Sequence, residues 1–150
     1  MVIDARFPPV IIRSYIGTTT EKMVRESGAW IGKYLSSLRS SAKIVLITDT
    51  RAVLTTDPKM RKIAAEEAKK LEPLMRAHEV ESIVIINSVM LRCAITAISW
   101  LTSLNLSPAK DPEDAFRLAS ESLARVGQTL PLGLMSTTYR IPTTPMSKAG

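Results

Sequence analysis

The sequence predicts an α/β fold with a mixed, mainly parallel sheet of four to five strands and about four helices. Short β-rich or apolar runs alternate with stretches of helical periodicity, in the order β-β-α-β-α-β-α-β-α. Parallel strands need crossover connections, which the intervening helices supply. The 150 residues, 45% of them hydrophobic, are enough for one core without metals or disulfides.

Two strands and a helix are predicted first. Residues 2–7 and 10–17 are β-rich runs separated by Pro8-Pro9, which excludes a helix there. Thr18 and Glu21 have capping-box spacing, and apolar residues then recur on one helical face. That face consists of Met23, Trp30, Ile31, Tyr34, Leu35 and Leu38.

A strand, a helix and another strand are predicted next. Residues 43–48 form a compact apolar strand, and a polar loop starts at Asp49. Asp57-Pro58 opens the second helix with proline at its first position, and Pro73 kinks or ends it. Residues 82–86 form the following strand.

The predicted helix over residues 89–101 is apolar around almost its whole circumference. Its few polar residues form one narrow stripe, so the remaining surface needs cover on two sides. Either it is a deeply buried core helix or it is a partner interface. The candidate interface residues are Arg92, Ile98, Trp100 and Leu101.

After the last predicted strand and helix, the periodic spacing of apolar residues ends. Residues 106–109 can form only a short edge strand, Asp111-Pro112 starts the last helix, and Gly127 stops it. We therefore expect an α/β domain over residues 1–127 and a flexible C-terminal tail over 128–150 that adds nothing to the core. Either the tail docks on a partner, or it is a solvated linker or a proline-directed phosphorylation site at Thr144-Pro145. Its candidate interface residues are Leu134, Tyr139 and Ile141.

Composition and motifs favour a non-enzymatic, cytoplasmic protein. The single Cys93 excludes an internal disulfide, and no apolar run is long enough for membrane insertion. The net charge of +6 is interspersed and aromatics make up only 5%, so we do not expect nucleic-acid binding. His78 is predicted to be a plain loop residue, and no catalytic, cofactor or metal motif occurs.

One predicted loop carries residues that are suited to a regulatory site. It joins the central strand to a helix N-terminus, where open α/β sheets collect ligands and anions are favoured. Asp49, Arg51, Thr55 and Thr56 are the candidate regulatory residues, and a phosphate on either threonine would change which partner docks. The alternative is that the threonines and Asp57 only cap the helix.

The pattern resembles small bacterial STAS-like proteins, which are akin to anti-sigma-factor antagonists and to the CRAL-TRIO lipid-transfer group. The resemblance covers about residues 1–127. It is carried by the element order and by three segments: Ile44-Val45-Leu46-Ile47-Thr48-Asp49, the apolar helix containing Ala97-Ile98-Ser99-Trp100-Leu101, and Asp111-Pro112-Glu113-Asp114-Ala115-Phe116. In anti-sigma-factor antagonists a phosphorylatable Ser or Thr begins the helix after the central strand; here that region reads Leu54-Thr55-Thr56-Asp57-Pro58.

The resemblance implies a module that works by docking rather than by catalysis. We therefore expect a protein-protein interaction or regulatory module that forms a homo-oligomer or belongs to a larger bacterial assembly. The second hypothesis is a carrier of a small apolar or lipid-like ligand, held in a pocket between the helix over residues 89–101 and the sheet.

Overall fold

The computed structural model describes residues 1–39, 43–55, 57–86, 106–135 and 139–142. Within these ranges the chain forms a five-stranded sheet and four helices. The strands are β1 Val2–Phe7, β2 Val10–Thr18, β3 Val45–Thr55, β4 Glu81–Ile85 and β5 Leu106–Ala109. The helices are α1 Glu21–Ser37, α2 Pro58–Ala77, α3 Pro112–Ala124 and α4 Leu132–Met135.

The sheet is mixed and mostly parallel. Its strands are ordered β1-β2-β3-β4-β5, with β1 antiparallel to β2 and every other neighbouring pair parallel. This architecture confirms the predicted α/β class and sheet type. The four residues of β5 also confirm the short edge strand expected over residues 106–109.

The helices begin at polar caps. Asp57 accepts a hydrogen bond from the Lys59 amide at 2.7 Å, and Asp111 caps α3 in the same way, so both predicted Asp-Pro starts are confirmed. The cap of α1 is Thr20 rather than Thr18, which still belongs to β2. The capping-box prediction is therefore wrong by two positions.

Alternate residues along the strands divide the core between two faces of the sheet. We call the face covered by α3 the α3 face and the opposite one the α1/α2 face. The buried side chains of the α3 face include Val10, Ile12, Val45, Ile47, Ile83, Ile85, Ala115, Ala119 and Leu123. Those of the α1/α2 face include Ile11, Ile31, Leu35, Ile44, Leu46 and Met75. The central strands thus contribute apolar residues to both cores.

The segment after α3 contributes to the core, which contradicts the prediction that it adds nothing. Gly127 has φ +72°, a left-handed conformation that favours glycine at a helix end, and the chain then returns over the α3 face. Leu130, Leu134 and Ile141 are buried there at 3–7% exposure. The segment lacks helical periodicity because it inserts apolar side chains one at a time from mainly irregular backbone.

The strand β3 runs further than the sequence predicted. Asp49 and Arg51 lie within it rather than in a loop. Asp49 pairs with Ser14 of β2 on one side and with Ile85 of β4 on the other. These parallel ladders satisfy the backbone groups of the polar residues, so the strand continues where side-chain polarity predicted a loop.

His78 differs from its prediction as a plain loop residue. It is the C-cap of α2, its amide donates to the Leu74 carbonyl at 3.1 Å, and its side chain is buried. Among the helices of the described ranges, none has the length and hydropathy needed to cross a membrane. The predicted helix over residues 89–101, with Arg92, Ile98, Trp100 and Leu101, lies outside the described residues, as does Thr56.

Candidate functional site: a cavity on the α1/α2 face

A cavity of about 190 Å³ lies between α1, α2 and the sheet. Its walls are chiefly apolar. The strands border it along much of their length, from Leu46, Ser82 and Leu106 near the amino ends to Val53 and Val84 near the carboxyl ends. Its apolar lining includes Val24, Ile31, Val53, Ala64, Leu71 and Val84.

The sequence creates this space by changing side-chain type along the same strands. Near their amino ends, Ile11 of β2 and Leu46 of β3 belong to the packed core of the α1/α2 face, and Leu46 also borders the cavity. Two residues further on, the same face carries Arg13 and Thr48, which border the cavity. Gly28 of α1 has no side chain to occupy the space, and a Cβ there would lie 2.8 Å from Oε2 of Glu67.

Within the described ranges, two arginines line the cavity: Arg61 of α2, which is exposed, and Arg13 of β2, which is partly buried. The Nη1 of Arg13 donates to Oγ of Ser27 at 3.0 Å, and its Nη2 donates to Oγ1 of Thr48 at 2.9 Å. The guanidinium carbon lies 5.2 Å from the centre of the Tyr15 ring. These contacts fix the guanidinium through neutral groups, which orient its charge without neutralising it.

Arg13 has two further features. Its Nε is buried and has no hydrogen-bond partner among the described residues. Within the same residues, no carboxylate lies within ion-pair distance of its guanidinium. A partly buried positive charge without a carboxylate partner is stabilised when an anion accompanies it.

Glu67 also borders the cavity, but its carboxylate is engaged elsewhere. Oε1 accepts from Arg25 at 2.9 Å and from Lys70 at 2.7 Å. The pair with Arg25 joins α2 to α1, and Arg25 also binds Glu21. Glu67 therefore closes the side of the cavity and is not poised as a general base.

The predicted regulatory residues are only partly brought together. Arg51 donates to Asp49 from Nε at 3.1 Å and from Nη2 at 2.8 Å. The hydrogen bond with Asp49 raises the pKa of Arg51, and the charge of Asp111 adds to this effect. Thr55 lies six positions beyond Asp49, at the end of β3. Asp49, which is buried, and Arg51, which is partly exposed, form an ion pair within β3 rather than a loop.

The three predicted interface residues that can be placed lie against the protein's own core. Leu134 and Ile141 are buried, and Tyr139 packs edge-on against Phe7 with ring centres 5.4 Å apart. Since this chain already covers their apolar surfaces, Leu134 and Ile141 present no free surface to a partner. The sequence pattern identified them as apolar but could not show what covers them.

Tyr139 also ties the C-terminal segment to the first strand. Its hydroxyl donates to Oδ2 of Asp4 at 2.9 Å, and Arg6 binds the same carboxylate at 2.8–2.9 Å. The hydrogen bond from Arg6 is the main reason that the pKa of Asp4 lies below its ordinary value. Burial of the Tyr139 hydroxyl raises its pKa, and the hydrogen bond to Asp4 raises this pKa further.

The sequence analysis missed Arg13, Ser27 and Thr48. A usable signal was present, because Arg13 is a single charge inside the β-rich run Val10-Ile11-Ile12-Arg13-Ser14-Tyr15-Ile16. In the described ranges, no group of three or more His, Cys, Asp or Glu side chains is arranged to hold a metal ion.

The fold defines the class of this chain as an α/β protein with a mixed, mostly parallel sheet, and its distinguishing feature is an apolar cavity that contains a fixed guanidinium. Comparison of the sequence with protein-family models and with curated proteins finds no match.

Proposed function

We propose that this protein is a non-enzymatic binding module that holds a small, largely apolar molecule in the α1/α2 cavity. The observation that supports this proposal is the cavity itself, with apolar walls supplied by both helices and by the sheet. Small-molecule sites are usually concave and mostly apolar, with a few polar groups that fix orientation. Arg13, Ser27 and Thr48 are suited to that orienting role.

The size of the cavity suggests the size of the molecule. An engineered apolar cavity of about 150 Å³ is sufficient to bind benzene. The cavity here has a volume of about 190 Å³. It therefore suits a molecule that has a few more carbon atoms than benzene, and it is too small for a long lipid chain. The carrier hypothesis from the sequence placed its pocket against the helix over residues 89–101, which lies outside the described residues; the proposal here concerns a different cavity and a compact ligand.

A cavity-filling variant tests the proposal. Ala64→Leu places a larger side chain on the cavity wall, whereas Ala65→Leu makes the same change at the next position of α2, which does not line the cavity. We expect hexanol to bind the unchanged protein and the Ala65→Leu control in calorimetric titrations, and to bind Ala64→Leu at least about tenfold more weakly. If hexanol does not bind the unchanged protein, or if it binds both variants with equal affinity, binding in this cavity is refuted.

A second candidate function is self-association through α4. Leu132 and Met135 are 84% and 61% exposed, which is unusual for large apolar side chains so close in sequence. They flank the buried Leu134, so α4 has one face in the core and one face outside. Light scattering at concentrations on the order of tens of micromolar tests this candidate. Particles of one subunit mass, unchanged in a Leu132→Ser, Met135→Ser variant, would refute it.

A further inference from the structure

We infer that the α1/α2 cavity selects a small apolar monocarboxylate, whose carboxylate group pairs with Arg13. This inference rests on the proposed function, because it specifies the chemistry of the molecule that the cavity holds. It adds a specificity-determining residue, Arg13, and a charge requirement on the ligand.

The donor arrangement of Arg13 is the first argument. A guanidinium has five N–H donors in a planar fork, and Ser27 and Thr48 each accept one of them. The Nε–H has no partner among the described residues but is shielded from solvent, so a ligand in the cavity meets the Nη atoms, each of which keeps a second N–H. A carboxylate can accept two parallel N–H bonds from such a fork, which is the geometry that arginine forms most readily with this group.

The restraint on the guanidinium is the second argument. Arg13 is anchored at both Nη atoms by residues of α1 and β3, and the Tyr15 ring lies 5.2 Å from its Cζ. A side chain that is already ordered loses little conformational entropy when a ligand binds. The group is therefore preorganised to receive an anion.

The charges around the cavity favour a single negative charge on the ligand. Among the described residues of the lining, the charged ones are Arg13, Arg61 and Glu67, which together carry a formal charge of +1. One negative charge on the ligand matches that sum, whereas a dianionic phosphate exceeds it. Because the remaining lining is chiefly apolar, the rest of the ligand should be a compact hydrocarbon or aromatic body.

Three probes of equal chain length separate the contributions of charge and apolar body: hexanoate, hexanol and hexyl phosphate. In calorimetric titrations of the full chain at neutral pH, hexanoate should bind at least about tenfold more tightly than hexanol, since a charge-assisted bidentate contact is worth about a factor of ten or more. Hexyl phosphate should bind more weakly than hexanoate. Tighter binding of hexyl phosphate would overturn the assignment of a carboxylate.

Variants then assign the preference to one residue. Arg13→Met should reduce the hexanoate-to-hexanol affinity ratio to about one, and Arg13→Lys should retain part of it because the charge remains. Arg125→Met is the matched control, since Arg125 is an exposed residue that follows α3 and does not line the cavity. A ratio that stays the same in Arg13→Met would overturn the inference.

A measurement on the unchanged protein keeps the test decisive if Arg13→Met does not fold. The ¹⁵Nε–¹Hε resonance of Arg13, assigned through its loss in Arg13→Lys, should shift on titration with hexanoate and not with hexanol. A resonance unmoved by saturating hexanoate would overturn the inference. If hexanol binds as tightly as hexanoate, only the carboxylate inference fails; if neither binds, the proposed function fails as well.

Discussion

The two faces of the sheet use the same strands for different purposes. Along β2, Val10 and Ile12 enter the packed core of the α3 face, whereas Ile11 and Arg13 belong to the α1/α2 face. Buried apolar residues fill the α3 face, and the segment after α3 completes it. The α1/α2 face has its own buried side chains but also contains the cavity, which Leu46, Ser82 and Leu106 border near the amino ends of the strands.

Polar groups also differ between the faces. On the α3 face, the carboxylate of Asp4 is matched by Arg6 and Tyr139, and the hydroxyl of Ser122 donates to Glu81. On the α1/α2 face, the guanidinium of Arg13 meets two hydroxyl groups and the Tyr15 ring, and no carboxylate among the described residues. A charge that is matched internally stabilises packing, whereas a charge that is left over is available for recognition.

The largest expected effect concerns the segment that closes the α3 face. Deleting residues 128–150 removes the buried side chains of Leu130, Leu134 and Ile141, at about 1.5–3 kcal/mol each. The total of about 4–9 kcal/mol approaches the whole stability of a typical domain. Urea denaturation followed by circular dichroism measures this loss. The control ends after Pro142 and keeps these side chains; equal midpoints for the two truncated chains would show that the segment does not close the core.

A smaller effect is expected from single truncations within α4. Leu134→Ala should lower the free energy of unfolding by about 2–5 kcal/mol, because it opens a cavity among buried side chains. Leu132→Ala, two positions away and 84% exposed, should change it by no more than about 0.5 kcal/mol. Chemical denaturation of both variants gives the comparison, and a similar loss in each would mean that α4 does not pack with Leu134 inward.

Enlarging an alanine should have opposite consequences on the two faces. Ala119→Leu overfills the α3 face, where Ala119 is completely buried, and should cost about 1–3 kcal/mol. Ala64→Leu extends into the cavity and should leave stability nearly unchanged or slightly higher. Thermal melts of both variants measure the contrast. Equal destabilisation would indicate that the cavity wall cannot accept added volume.

The smallest expected effect concerns the Tyr139–Asp4 hydrogen bond. Tyr139→Phe removes this bond and should cost about 0.5–1.5 kcal/mol at neutral pH, because Tyr139 is only partly buried and water competes for the carboxylate. Urea midpoints of the two proteins give the difference. An unchanged midpoint at neutral pH would show that this bond adds nothing to the attachment of the segment.

The pH dependence of this difference follows from the two pKa shifts. The pKa of Asp4 is lowered, so its contribution is present above its ordinary value near 3.8 and is lost as pH falls through the folded pKa. The pKa of Tyr139 is raised, so its contribution is present below its ordinary value near 10.0 and declines as pH rises towards the folded pKa. The difference between Tyr139→Phe and the unchanged protein should therefore be largest between these values. A difference that grows in alkali would contradict the assigned bond.

The class of fold could be predicted because periodicity is a local property. Short stretches of sequence are enough to recognise an apolar strand or an Asp-Pro helix start. The structure accordingly has β4, β5 and the beginnings of α2 and α3 at or next to the predicted positions. The end of β3 could not be predicted in this way. Asp49 stays in the strand because neighbouring strands pair with it, and no local pattern reports those neighbours.

The candidate site was less predictable for a related reason. Arg13 could have projected into solvent or into the cavity, and a shift of one residue in strand register decides between these outcomes. Ser27 and Thr48 lie 14 and 35 positions from Arg13, so their grouping exists only after the sheet and α1 have assembled. The docking and regulatory hypotheses depend on surfaces and partners, and they stay predictions.

The contact between Tyr139 and Asp4 also bears on the order in which the protein folds. The two residues are 135 positions apart, so their meeting closes a very long loop, and contacts of this range slow folding. Ile11, Ile31, Leu46 and Met75, which fill much of the α1/α2 face, all precede Tyr139 by more than sixty positions. During synthesis this face can therefore begin to assemble while the α3 face still lacks its last side chains, and the exposed apolar strands are then most vulnerable to aggregation.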